Sequence, residues 1–224
     1  MTPPRPASTV LVVRDGPDGI EVAMGLRPPG GHFGGVWVFP GGAVDHADRE
    51  AADDSDEAWR LAGLRETWEE VGLAIVEPSS VVIPPGNGSV HDRLRTVGAS
   101  FAVGRMVYLS NWVTPAFVPK RFDTRFYLID ADGPLHPTEE LVDVAWVAVT
   151  TVVERRHAGE LPLMFPTLSH LRYLAGFGDV ASVVAETSSL PEIPVVEPRL
   201  EEGADGALIV DSDPRFTGRG FRRP

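Results

Sequence analysis

Arg65-Glu66-Thr67-Trp68-Glu69-Glu70-Val71-Gly72-Leu73 places one arginine and three carboxylates within a turn and a half of predicted helix, closed by a glycine. Residues three and four apart share a helix face, so Glu66 falls beside both Glu69 and Glu70. Like charges at that spacing repel and weaken an isolated helix. A divalent cation removes the penalty, because hard ions such as Mg²⁺ and Mn²⁺ take oxygen ligands. A bare E-x-x-E-E is more often a solvated acidic face, but three neighbours favour the metal reading. Arg65 stands directly before the carboxylates and can orient one of them. Glu57 lies eight residues before Arg65, in the same helical run. Upstream, Phe39-Pro40-Gly41-Gly42 is a glycine turn that lets backbone approach an ion or phosphate closely.

Working outward, the helix starts at Asp54 as N-cap, with Glu57 three residues on as a capping box, and Gly72 terminates it. Ala58, Leu61, Ala62, Leu64 and Trp68 supply its apolar stripe. Ser8 to Arg14 and Ile20 to Leu26 read as a hairpin about the Asp15-Gly16-Pro17-Asp18-Gly19 turn. Val36 to Phe39, Arg105 to Val113, Thr124 to Ile129 and Leu141 to Val149 read as further strands. Later helices are expected at Thr150 to His157, from Pro166 at N1 through Leu174, and at Asp179 to Thr187. His91 to Val97 is a short helix or strand, and Ala207 to Val210 a short strand. Strands on both sides of the acidic helix, with helices after them, predict a mixed α/β sheet protein. The domain is expected over 1–187, with 188–224 as a Pro- and Glu-rich C-terminal extension and a loose basic end at Arg219 to Pro224.

Composition narrows the partners. The 224 residues suffice for one full core, and 43% hydrophobic with 23% charged residues is ordinary for a globular protein. A formal charge of −12 argues against a nucleic-acid partner, whose phosphates would be repelled. An anionic substrate must then be drawn in by local cations or metal. The absence of cysteine excludes disulfides, thiolate catalysis and Cys-ligated zinc. No apolar run approaches the ~20 residues of a membrane span, and Met-Thr-Pro-Pro-Arg lacks a signal peptide's apolar core. The expectation is a cytoplasmic enzyme without a membrane partner.

The acidic helix and the glycine turn together resemble the Nudix box, G-x5-E-x7-R-E-U-x-E-E-x-G-U, with U bulky and apolar. From Glu57 to Leu73 every fixed position is met except Thr67, which replaces a U. Fourteen residues rather than five separate Gly42 from Glu57, so the box, about 42–73, carries a nine-residue insertion. The insertion, about 45–56, is rich in Asp and Ala and reads as a mobile acidic loop. Trp112-Val113-Thr114-Pro115, Arg121-Phe122-Asp123-Thr124-Arg125-Phe126, Val38 through Asp45 and the 159–167 stretch are similar to a Nudix subgroup that includes coenzyme A diphosphatases. Arg27 with Gly35 through Gly42 also matches parts of a bacterial coenzyme A signature.

The resemblance implies an α/β/α sandwich with a mixed β-sheet and Mg²⁺- or Mn²⁺-dependent cleavage of a nucleoside diphosphate linked to another group. Coenzyme A or acyl-coenzyme A leads among the substrates; ADP-ribose, NADH or a nucleoside triphosphate is the enzymatic alternative. A non-catalytic nucleotide sensor of the same fold is the other alternative, although such proteins usually lose box carboxylates. By motif position Glu66, Glu69 and Glu70 are metal carboxylates, Glu66 is ligand or base, and Arg65 orients them. Glu57 supports a further metal through water, and the Gly41 or Gly42 carbonyl completes coordination. Plain helix capping is an equal reading for Glu57. Asp123, Glu139 and Glu140 are candidates for a late loop acid. Arg27, Phe39, Arg121 and Arg125 are the substrate-side candidates, with Lys120 a further cation and Phe33, Trp37 and Trp112 further aromatics. Arg121 and Arg125 could equally pair with neighbouring acids, and strand aromatics are usually core. The six histidines show no ligand spacing. Family members often dimerise, which leaves a homodimer open.

Overall fold

The computed structural model describes residues 3–30, 34–83, 86–157, 161–203 and 206–210. The first half of the chain forms β1 (Arg5–Gly16), β2 (Gly19–Leu26), β3 (Trp37–Val38), β4 (Gly41–Ala43), α1 (His46–Ala51), α2 (Ser55–Val71), β5 (Val76–Glu77), α3 (Val90–Thr96) and β6 (Ser100–Phe101). The second half forms β7 (Val107–Val113), β8 (Phe122–Asp130), β9 (Asp143–Ala148), α4 (Val149–His157), α5 (Phe165–Leu174), α6 (Val180–Ser188), β10 (Val195–Val196), β11 (Arg199–Gly203) and β12 (Gly206–Val210).

Eight strands make one mixed sheet in the order β10-β7-β8-β1-β2-β3, with β4 paired to β1 and β9 to β2. The β1–β8 and β10–β7 pairings are parallel and the others antiparallel. Strand β1 serves three partners: β8 along Arg5 to Val13, β4 at Ala7 to Thr9, and β2 at Val13 to Gly16. Its side chains alternate between two cores, as a period of two requires. Val10 and Val12 pack with Leu61 and Leu64 of α2, whereas Leu11 and Val13 face Leu171, Leu174 and Val183 of α5 and α6. Helices therefore cover both faces of the sheet, the expected sandwich.

Helix α2 is built from its caps inward. The Asp54 carboxylate accepts the Glu57 N–H at 2.8 Å, and Gly72 (φ +72°) ends the helix by donating to the Trp68 carbonyl. The expected reciprocal half of the Asp54–Glu57 box is replaced by a bond from the Asp53 N–H to the Glu57 carboxylate. Thr67, the departure from an apolar position, is fully buried, and its hydroxyl donates to the Gly63 carbonyl at 2.8 Å. A polar atom satisfied within the helix removes most of the cost of burying it.

Three expectations are corrected. The 45–56 stretch is not a loop, because it contains α1, held by a capping box in which Asp45 and Asp48 exchange backbone N–H bonds. The packed unit does not end at 187. Val195 and Val196 pair with Asn111 and Trp112 on the sheet edge, and Val196 is fully buried. Helix α5 opens at Phe165, one residue before the expected start at Pro166. His91 to Val97 resolves as helix α3, and the expected strand at Ala207 to Val210 falls on β12. Arg219 to Pro224 lies outside the described residues.

Candidate functional site

The last two turns of α2 meet the end of β4 and α1 at the Arg65 guanidinium. All five of its N–H donors are used. Nε and one Nη2 hydrogen bind Asp48 in fork geometry, both at 2.9 Å, and Nη2 also reaches the Ala43 carbonyl at 3.1 Å. Nη1 bonds Glu66 at 2.9 Å and Glu69 at 2.7 Å. Arg65 is thus a hub that fixes two of the box carboxylates from one side.

Glu70 lies on the neighbouring face. It is only 3% exposed, and among the described residues its carboxylate accepts one hydrogen bond, from the Gly41 N–H at 2.7 Å. Burial pushes its carboxyl up to about 8; the Gly41 bond and the charge of Arg27 oppose this, and Glu66 and Glu140 add to it. Burial raises Glu66 as well, against Arg65, with Glu69 and Glu140 contributing in the same direction. Glu140 lies on the loop before β9. That loop is tied to α2 by a bond from the Thr138 hydroxyl to the Glu70 carbonyl at 3.2 Å. Gly42 touches Glu66: a Cβ added there would stand 2.3 Å from Glu66 Oε1, so a side chain at this position would displace the Glu66 carboxylate.

The structure therefore brings together Gly42, Arg65, Glu66, Glu69 and Glu70, with Arg27 and Glu140 near enough to act on Glu70. It places the other candidates elsewhere. Glu57 sits eight residues from Arg65, about 12 Å along the helix, and caps Asp53 instead of facing the cluster. Arg121 donates to the Thr114 carbonyl and to Glu197, and Arg125 pairs with Asp56 while lying 4.1 Å over the Trp59 ring. Phe39 is buried edge-on to His170 in the α5–α6 core, where Trp112 also packs. Lys120 rests over Phe122. Trp37 lines a cavity of about 130 Å³ with Met24, Trp146, Val147 and Leu161, which shares no residue with the acidic cluster. Phe33 lies outside the described residues.

Two residues of the cluster escaped the sequence reading. Asp48 is fully buried. Burial would raise its carboxyl, yet bonds from His91 and Arg65 hold it well below the usual carboxylate range. It follows Gly42 by five intervening residues, the interval the box gives its first acid. The extra nine residues thus fall between Asp48 and Arg65, and Asp48, not Glu57, fills the seat beside the arginine. His91 reaches Asp48 from α3 at 2.9 Å.

The donor set suits a hard divalent cation. Arg65 neutralises Asp48 and braces Glu66 and Glu69, which leaves Glu70, Glu66 and Glu140 in mutual repulsion with Arg27 as the remaining cation nearby. Among the described residues no three acidic or histidine side chains stand at ligand spacing. That is compatible with Mg²⁺, which is commonly held by one or two carboxylates together with water and substrate phosphate. The fit lies in donor chemistry rather than in a finished cage.

Comparison with known proteins bears on the family and the fold. A NUDIX domain family model matches residues 3–168. A NUDIX hydrolase from Alicyclobacillus acidocaldarius, known from its crystal structure, is 31% identical with a TM-score of 0.71, covering 83% of this chain and 97% of that one. Human acyl-coenzyme A diphosphatase NUDT19 is 24% identical over 237 residues, 74% of this chain and 63% of that protein. A Caenorhabditis elegans protein named for the same hydrolase family is 26% identical over 156 residues, 63% of this chain and 51% of its own length. The chain spans about half to two thirds of these two relatives.

Proposed function

We propose, since this chain belongs to the Nudix family, that it is a divalent-metal-dependent hydrolase of nucleoside diphosphate derivatives, with coenzyme A or an acyl-coenzyme A as leading substrate. The observation that carries the reading is Glu70, buried beside the Gly41-Gly42 turn and short of positive charge, with Glu66 and Glu69 braced by Arg65. The substrate preference is supported by the likeness to the human acyl-coenzyme A diphosphatase.

Bound Mg²⁺ or Mn²⁺ would neutralise the phosphate oxygens and acidify the attacking water. Glu69 and Glu70 would be the principal ligands of the ion, with Glu66 as a further ligand or as the base, and Gly42 leaves room for backbone to approach it. Water oxygen forms the new bond to phosphorus, the bridging P–O bond breaks, and the water proton passes to a carboxylate. Glu66 suits that role because burial raises its proton affinity. Arg65 keeps Glu66 aligned, and Arg27 draws in the anionic substrate. Asp48 and His91 act behind Arg65 and do not meet the substrate.

The test is incubation of the full chain with coenzyme A, acyl-coenzyme A, ADP-ribose, NADH and nucleoside triphosphates, with Mg²⁺ or Mn²⁺, and products read by mass. Release of 3′,5′-ADP with a phosphopantetheine marks the coenzyme, whereas AMP marks ADP-ribose. Cleavage of none of them would sink the hydrolase reading and leave the nucleotide sensor.

A further inference from the structure

We propose that His91 is a positioning residue for the metal carboxylates, acting through Asp48 and Arg65. The inference rests on the reading of the site given above.

A carboxylate offers about four lone-pair directions. Asp48 has all four occupied: Arg65 Nε and His91 Nε2 on Oδ1, and Arg65 Nη2 and the Asp45 N–H on Oδ2. Asp48 is fully buried and His91 is 5% exposed, so water cannot substitute readily for a missing donor. Because Asp48 is ionised and has no proton to give, His91 Nε2 carries the hydrogen. The ring is held edge-on by Phe101, 5.6 Å between centroids, and α3 is anchored by its Ser89 cap and by Leu94 in the core.

The four bonds fix the plane of the Asp48 carboxylate. That plane fixes the Arg65 fork, and the same guanidinium aims Nη1 at Glu66 and Glu69. Without the Nε2 donor, one lone pair of a buried anion is unsatisfied, and Asp48 regains its balance only by turning. Arg65 must follow, because a fork bond tolerates little rotation. The excursion between β5 and β6 therefore serves the chemistry through a helix that never reaches the reacting groups.

The experiment compares His91→Gln, His91→Leu and His91→Ala in the full chain. Glutamine Nε2 can occupy the place of the imidazole Nε2–H; leucine keeps bulk without a donor. The readouts are Mn²⁺ affinity by electron paramagnetic resonance with the metal alone, and kcat and KM on whichever tested nucleotide the wild type cleaves. Loss of the donor is expected to weaken Mn²⁺ binding or kcat by about 10- to 100-fold, with KM within about 2-fold, and glutamine is expected to restore most of it. Wild-type kcat and Mn²⁺ affinity in folded His91→Leu would overturn the proposal. So would equal losses in the leucine and glutamine variants, which would assign the effect to packing. If the alanine variant does not fold, the leucine–glutamine pair decides. Failure of the wild type to cleave anything counts against the function, whereas kcat and Mn²⁺ affinity both unaltered in His91→Leu count against this inference alone.

Discussion

Replacing Glu70 by glutamine separates the cost of the acidic site from its use. Glu70 has a folded value of about 8 against a reference of 4.5. A carboxyl raised in this way keeps its proton in the folded state after the unfolded chain has lost it. Its stabilising contribution is full below pH ~4.5 and is lost as pH rises to ~8. The displacement corresponds to a ceiling of about 5 kcal/mol at pH 9, at 1.36 kcal/mol per pH unit. Relaxation around the charge reduces this to roughly 2–3 kcal/mol. The amide keeps the acceptor for the Gly41 N–H and carries no charge. In chelator at pH 9, Glu70→Gln should therefore melt higher than the wild type by ~4–12 °C, taking ~2–4 °C per kcal/mol for a chain of this size. At pH 4.5 the two should melt nearly together. Mn²⁺ should raise the wild-type melting temperature and leave the variant unmoved, and the variant's turnover should fall by at least ~10²-fold. Scanning calorimetry at the two pH values, with and without Mn²⁺, is the assay. Parallel pH dependence of the two melting temperatures, or an equal Mn²⁺ shift in both, would refute the reasoning.

The two acids able to take the water proton separate by mutation: Glu66→Gln should abolish turnover, whereas Glu140→Gln should cost less than ~10-fold, and the reverse order would move the base to the loop. Arg27→Ala should raise KM severalfold with little effect on melting. Arg125→Ala, whose partner is Asp56, should leave KM unchanged and cost about 0.5–1 kcal/mol of stability, measured by urea unfolding. His170 is fully buried and stacked on Phe126, and burial lowers it to about 3 from 6.5. The stability it contributes is present above pH 6.5 and is lost progressively as pH falls toward 3, about 2 kcal/mol by pH 5. Imidazole resonances should show it neutral at pH 5, and an ordinary titration near 6.5 would contradict this.

Where the determinants are local, the chain could be read directly. The α2 caps at Asp54 and Gly72, the β1–β2 hairpin about its Asp15–Gly19 turn and the turn at Gly41-Gly42 depend on residues within a few positions of one another. The acidic helix face was legible for the same reason. Asp48 and His91 were not, because their meaning arises only when α1 and α3 are folded against α2, with 17 and 26 residues separating each from Arg65 along the chain. One clue was available: Asp48 keeps the five-residue interval from Gly42, with aspartate in place of glutamate. The Asp45–Asp48 capping box was likewise present in what looked like loop composition. Arg121 and Arg125 misled in the opposite way. A cation beside a recognisable motif looks free until Glu197 and Asp56, distant in sequence, are seen to engage it. Pro166 set the start of α5 one residue late because Met164, the actual cap, makes no side-chain cap bond and so leaves no signature.

The seating of Val195 and Val196 along β7 bears on how the protein can be shortened. A version cut at residue 168, where the family match stops, would strip Leu171, Leu174, Val180, Val183 and Val196 from the core on the α5–α6 face of the sheet. It would also bare the N–H of Asn111, now bonded to the Pro194 carbonyl at 2.8 Å. An uncovered strand rim next to freshly wetted apolar surface templates cross-pairing between molecules. Such a truncation should accumulate as insoluble aggregate even though every box residue remains in it.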